Sequence, residues 1–278
     1  MTLPSKPCQK EVNVERNGST GIIRLSRPAA NNALTYESKR LIGQSIAHFE
    51  SDAKVRAILL CADGPNFCAG ADLNALESRL DDAVEFDQYL RFGLEVYGRI
   101  GTSRLPVVVA VQGLCLAGGL ELMLAGDVAF ASEDARFGDQ HARFGLFPGG
   151  GGTQRLARII GQRRALDLMF SARWIDAPTA LAWGMVNYIS PPGDLWQQAL
   201  DYCNMLAQRN PGGIAQMKRT VRLGADLPLQ GALELELSAA SEVLRSKGAR
   251  DGIAEFKARR KPTNSSSHGL SIDQPPSP

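Results

Sequence analysis

Two short stretches, NFCAGADL at 66–73 and LAGGLELML at 116–124, constrain this chain more than any other feature. In each, glycine falls where an apolar, strand-like run gives way to a helix-like one. Small residues in such a turn let backbone N–H groups reach a ligand with no side chain in the way. Two such turns facing one pocket can place two N–H donors on a single oxygen, the geometry an oxyanion hole requires. The second stretch also carries Glu121 inside an otherwise apolar run. A lone buried acid is costly unless it is paired or working. The combination points to an enzyme acting on a carbonyl.

The chain has 278 residues, enough for one large domain or one domain plus an appendage. A core of that size needs no disulfide or metal to stay folded. A formal net charge of +2, with no basic run longer than that at 259–261, argues against a nucleic-acid surface. The five cysteines are odd in number and form no CxxC pair, which favours free thiols in a reducing, cytoplasmic setting. The first residues, MTLPSKPCQK, have no apolar core of the kind a signal peptide needs. The stretch 106–126 approaches the length of a membrane span. It opens on proline and contains Gln112, Glu121 and four glycines, so it reads as a buried strand followed by a helix.

Along the chain, strand-like runs at 21–28, 55–63, 107–113 and 128–132 alternate with helix-like ones at 35–50, 74–104 and 120–124. That alternation predicts an α/β architecture. From about residue 154 the pattern turns mainly helical. The expected organisation is a core over 1–195 carrying the active site, a helical region over 196–261, and a Ser- and Pro-rich tail over 262–278 without regular structure.

Five blocks then occur in a particular order: RPAANNAL at 27–34, NFCAGADL, VQGLCLAGGLEL, FGDQHARFGLFPGGGGTQRLARIIG at 137–161 and ARWIDAPTALAWGMVNYI at 172–189. In this the chain resembles the crotonase superfamily, the enoyl-CoA hydratase/isomerase family, from about residue 12 to 261. The resemblance implies a crotonase-like spiral of ββα units with a helical C-terminal region used for trimer formation, and possible pairing of trimers into hexamers. It assigns the oxyanion-hole amides to Ala71 and Gly118 and the acid/base carboxylate to Glu121. It makes Ala69, Asp72 and Leu73 of the same loop, together with Arg27, candidates for contacting the substrate or its CoA. Phe256 and Arg259 would serve the nucleotide end from a neighbouring subunit. Coenzyme A enters as part of the substrate, and no metal or redox cofactor is implied.

One position departs from the pattern of the hydratases this chain resembles. Counting back from PGGGGTQRL, their second glutamate falls on His141. Histidine can give or take a proton near neutral pH, because its unperturbed pKa is about 6.5. Hydration therefore stays open, as do isomerisation through Glu121 alone and cleavage of a β-dicarbonyl by a Glu121–His141 pair. The last gains from Ala29, which stands where many CoA-using relatives carry lysine.

Plainer readings stand beside these. Glu121 could lie on a helix surface, though Leu120, Leu122, Met123 and Leu124 around it argue otherwise. His141 could be a solvated loop histidine. Asp139 could orient His141 through a hydrogen bond or be a loop acid with no role. Asp72 could cap or brace its turn. Cys68 reads as a packed thiol, because no GxSxG-like elbow surrounds it. GGGG at 149–152 lacks the Lys-Ser/Thr of a phosphate loop and reads as a tight turn into a helix. No His/Cys/Asp cluster has metal-ligand spacing. His48 lies on a polar helix face and His268 in the tail. A relic site in a binding protein is the remaining alternative, and Ala71, Gly118 and Glu121 standing together argue against it.

Overall fold

A computed structural model describes residues 10–259; Cys8, His268 and the tail from Pro262 lie outside them. The chain forms two compact units that divide between Pro211 and Gly212. The first begins with a hairpin of β1 (Val12–Asn17) and β2 (Thr20–Leu25), followed by α1 (Tyr36–Ser51) and β3 (Ala57–Ala62). Next come α2 (Leu73–Glu77), α3 (Ala83–Thr102), β4 (Val107–Val111), β5 (Leu114–Leu116), α4 (Gly118–Ala125), β6 (Val128–Ser132) and β7 (Arg136–Gly138). The unit continues through α5 (Gly152–Ile160), α6 (Gln162–Ser171), β8 (Ile175–Asp176), α7 (Ala177–Ala182), β9 (Tyr188–Ser190) and α8 (Leu195–Ala207).

Six strands form one sheet in the order β1-β2-β3-β4-β6-β9, and three form a small sheet, β5-β7-β8. Beyond the antiparallel β1–β2 pair, the large sheet is parallel. Its central strands are covered on both faces, so β3 and β4 bury every residue and read as continuous apolar runs. Edge strand β1 buries only Val12. Its letters alternate only over Val12–Glu15 and turn wholly polar after that, and the sequence pattern passed over it.

The chain winds as repeated β–β–α turns. β4 runs through the large sheet, β5 joins the small one, and α4 returns; β6 and β7 begin the next turn, which α5 completes. Residues 106–126 are thus a strand pair and a helix, and among the described residues no helix is long and apolar enough to cross a membrane. One difference concerns α8, grouped by its helical pattern with the C-terminal region. Leu195, Ala199, Leu200 and Cys203 cover the sheet face formed by Ile22, Leu59, Val108 and Phe130, so the helix packs with the first unit.

The second unit comprises most of α9 (Pro211–Gly224) together with α10 (Leu229–Leu244) and α11 (Lys247–Arg259). Gln216 of α9 hydrogen-bonds Glu242 of α10 at 3.2 Å. Neither α10 nor α11 buries a residue.

Candidate active site

The two glycine turns meet through one pair of backbone hydrogen bonds. Cys68 N–H donates to the Leu114 carbonyl and Leu116 N–H to the Cys68 carbonyl, each at 2.9 Å. This bridge pairs Cys68 with Cys115, so Ala71 and Gly118 emerge side by side. A Cβ on Gly118 would stand 3.2 Å from the Ala71 nitrogen. Leu34 N–H binds the Gly70 carbonyl and Asp72 N–H the Leu34 carbonyl. The chain on either side of Ala71 is therefore tied down, while its own amide has no acceptor among the described residues. Gly118 opens α4, so its N–H has no carbonyl one turn back. Gly119 permits the approach: a Cβ there would lie 2.3 Å from the Cys68 carbonyl oxygen.

Glu121 lies in the first turn of α4 and is 4% exposed. Its Oε1 accepts the N–H groups of Gly150 and Gly152, both at 2.8 Å. The 149–152 glycines thus turn the chain into α5 and also fix this carboxylate with two rigid donors. Burial pushes the Glu121 carboxyl above the usual carboxylate range. The two amides and the nearby His141 offset part of that rise.

Asp139 follows β7 and is almost wholly buried. Its Oδ1 meets His141 Nδ1 at 2.8 Å and accepts the His141 backbone N–H at 3.1 Å. A buried carboxylate on Nδ1 selects the tautomer with that nitrogen protonated and leaves Nε2 for the cavity. Burial, the largest influence, disfavours the imidazolium. The hydrogen bond and charge of Asp139, joined by the charge of Glu121, outweigh it and raise the His141 pKa.

Glu121, His141 and the Ala71 and Gly118 turns meet at one cavity of about 650 Å³. Ala69, Ala71, Asp72, Leu73, Gly118, Glu121 and His141, all named from sequence, border it. A second depression of about 830 Å³ shares His141 with it and reaches Asp139, but is bordered by neither Glu121 nor the Ala71 and Gly118 amides. Arg27 is not among the residues lining the 650 Å³ cavity. Its guanidinium binds Asp72 at 3.1 Å and the Ala33 carbonyl at 2.7 Å. Asp72 in turn caps α2 by accepting Ala75 N–H at 3.3 Å, which makes the pair a brace behind the Ala71 turn. Phe256 and Arg259 lie on α11 of the second unit, where Phe256 is exposed and Arg259 pairs with Glu255 at 2.6 Å. Cys68 is buried and its thiol pKa is pushed up to about 12, so it packs as an inert thiol.

Three contributions escaped the sequence. The amides holding Glu121 come from a glycine run whose backbone donors have no letter of their own. Tyr97, fully buried, reaches the Gly118 carbonyl at 3.3 Å from α3 and looks like core in sequence. Lys39 on α1 also borders the cavity; its position on a face shared with Ile42 and Ile46 was the available signal.

Stacked β–β–α turns that bring two unpaired amides and a buried acid to one cavity are the arrangement of a crotonase-type fold, and comparison with known proteins agrees. The profile of the enoyl-CoA hydratase/isomerase family matches residues 15–266. A short-chain-enoyl-CoA hydratase of Clostridium acetobutylicum is 32% identical, over 90% of this chain and 95% of that one. A mitochondrial methylglutaconyl-CoA hydratase of Mus musculus is 31% identical, over 89% and 80%. Among solved structures, an enoyl-CoA hydratase from Bacillus anthracis superposes with a TM-score of 0.85 at 28% identity, covering 91% of this chain and 98% of that one. The chain belongs to the enoyl-CoA hydratase/isomerase family.

Proposed function

We propose that the protein adds water across the double bond of a 2-enoyl-CoA thioester. The observation that carries this is the meeting, in one cavity, of two acid/base groups, Glu121 and His141, with the amides of Ala71 and Gly118. The thioester oxygen accepts the N–H groups of Ala71 and Gly118. Glu121, its carboxylate oriented by Gly150 and Gly152, takes a proton from water as the water oxygen bonds to C3. The double-bond electrons pass to the thioester oxygen, where the two amides hold the enolate; such a donor is worth roughly 3 kcal/mol. The imidazolium of His141, favoured by the Asp139 carboxylate, gives its proton to C2. Glu121 ends protonated and His141 neutral, and exchange with solvent resets both. The thioester itself supplies the electron sink, so no step calls on a metal or redox group. Ala69, Asp72 and Leu73 border the acyl end, and Phe256 and Arg259 are assigned to the nucleotide end across a subunit contact.

We also infer a homotrimer, or a hexamer of paired trimers, in the cytoplasm. The apolar side chains of the second unit support the first, since Val221, Leu229, Leu237 and Leu244 are all well exposed in the single chain. The four described cysteines, all free and buried, support the second.

Loss of conjugated-thioester absorbance on mixing the protein with 2-enoyl-CoA substrates tests hydration. Glu121→Gln keeps an oxygen for the two glycine amides but cannot take a proton, and its rate should fall by about 10²- to 10⁴-fold. A folded protein that leaves every 2-enoyl-CoA unchanged would exclude hydration. The second reading, cleavage of a β-dicarbonyl by water activated at the histidine, is favoured by the Asp139–His141 pair. Cleavage of a simple diketone without CoA would establish it.

A further inference from the structure

A lysine stands in this cavity with no acid to answer it. Lys39 belongs to the buried face of α1, among Ile42, Gly43 and Ile46, and is 7% exposed. Its Nζ contacts the Tyr89 hydroxyl at 3.2 Å and lies 4.3 Å from the centre of that ring. Gly93, one turn further along α3, leaves room for it: a Cβ there would come within 3.2 Å of Nζ. Among the described residues no carboxylate is in ion-pair reach. The two acids bordering the cavity are engaged elsewhere, Asp72 with Arg27 and Glu121 with the glycine amides. Arg79, the other cation beside Tyr89, is paired with Glu85 at 3.2 Å.

A buried ammonium is rarely retained without an opposite charge, because desolvation outweighs what a hydroxyl and a ring face return. The missing anion must come from what enters the cavity. Lys39 borders the same cavity as Ala71, Gly118 and Glu121, so a thioester held by those amides shares that cavity with the ammonium.

We propose that Lys39 is a specificity residue that pairs with a carboxylate at the far end of the acyl chain, so that the preferred substrate is the CoA thioester of an unsaturated dicarboxylic acid. This rests on the cavity being the acyl-CoA site. Carboxylate fits better than hydroxyl because Tyr89 already supplies a hydroxyl and what is lacking is charge.

Two pairs of probes differ by one terminal carboxylate: glutaconyl-CoA against crotonyl-CoA for turnover, and glutaryl-CoA against butyryl-CoA for binding by calorimetry. The wild type should favour the carboxylate member of each pair by about tenfold or more, the scale of one hydrogen-bonded charge contact. Lys39→Met should erase that preference, lowering turnover of glutaconyl-CoA by more than that of crotonyl-CoA, and Lys39→Arg should keep much of it. Should the methionine variant not fold by circular dichroism, Lys39→Gln takes its place. Equal affinity for glutaryl- and butyryl-CoA with turnover intact would overturn the Lys39 assignment and leave hydration standing. Equal losses on both members of a pair would do the same, marking Lys39 as a prop between helices. Tight glutaryl-CoA binding with no turnover of either enoyl ester would overturn hydration and keep the assignment. Binding of neither saturated ester would overturn both.

Discussion

Glu121 and His141 are pushed in the same direction for different reasons. Desolvation raises the carboxyl, whereas Asp139 raises the imidazole against desolvation. A base that must be ionised and an acid that must be protonated define a bell-shaped pH profile. Its alkaline limb belongs to His141. Asp139→Asn keeps the shape of the side chain but removes the charge, so burial prevails and the His141 pKa drops. The alkaline limb of kcat/KM should move to lower pH, which a rate profile from about pH 5 to 9 measures. A limb that stays in place would show that His141 delivers no proton. The same raised pKa bears on stability. It stabilises the fold below the unfolded histidine value of about 6.5 and is lost as pH rises through the folded value. Denaturant midpoints of the wild type should therefore fall across that window more steeply than those of His141→Gln.

At the scale of elements, the site depends on the contact between the 66–73 turn and the start of α4. Gly119→Ala would drive a methyl into the Cys68 carbonyl, with neither backbone free to move without parting Ala71 from Gly118. It should cost about 1–3 kcal/mol, as overpacking does, and lower activity more than the stability loss explains. Gly98→Ala is the opposite case. Gly98 lies inside α3 with nothing within 4 Å of its added Cβ, so the change should stabilise by about 0.5–1 kcal/mol. Thermal melts of the two variants check both signs. Which elements would form was largely legible: β3, β4 and α4 announce themselves by continuous apolar runs and their glycine boundaries. β5, β7, β8 and β9 were not, because none exceeds three residues and each is held by its neighbours in space. α8 was legible as a helix but not as a cover for the sheet, since an amphipathic face does not name its partner.

For the whole molecule, the exposed apolar residues of α10 and α11 predict association. Light scattering on the purified chain should give a mass well above the 30.0 kDa of one subunit. Leu237→Asp, on a residue 65% exposed, should shift the mass downward without unfolding the first unit. The sequence alone determined the α/β pattern, the two glycine turns and an acid placed among leucines. Each is a local property, visible because backbone preference and burial act on neighbouring residues. The tertiary structure decided that Cys68 lies against Cys115, that Gly150 and Gly152 hold Glu121, that Asp139 is buried under His141, and that Lys39 faces the same cavity. Those pairings join residues from separate turns of the spiral through backbone donors or single side chains. Such contacts leave no period in the letters, and only packing of the turns against one another brings them within hydrogen-bond distance.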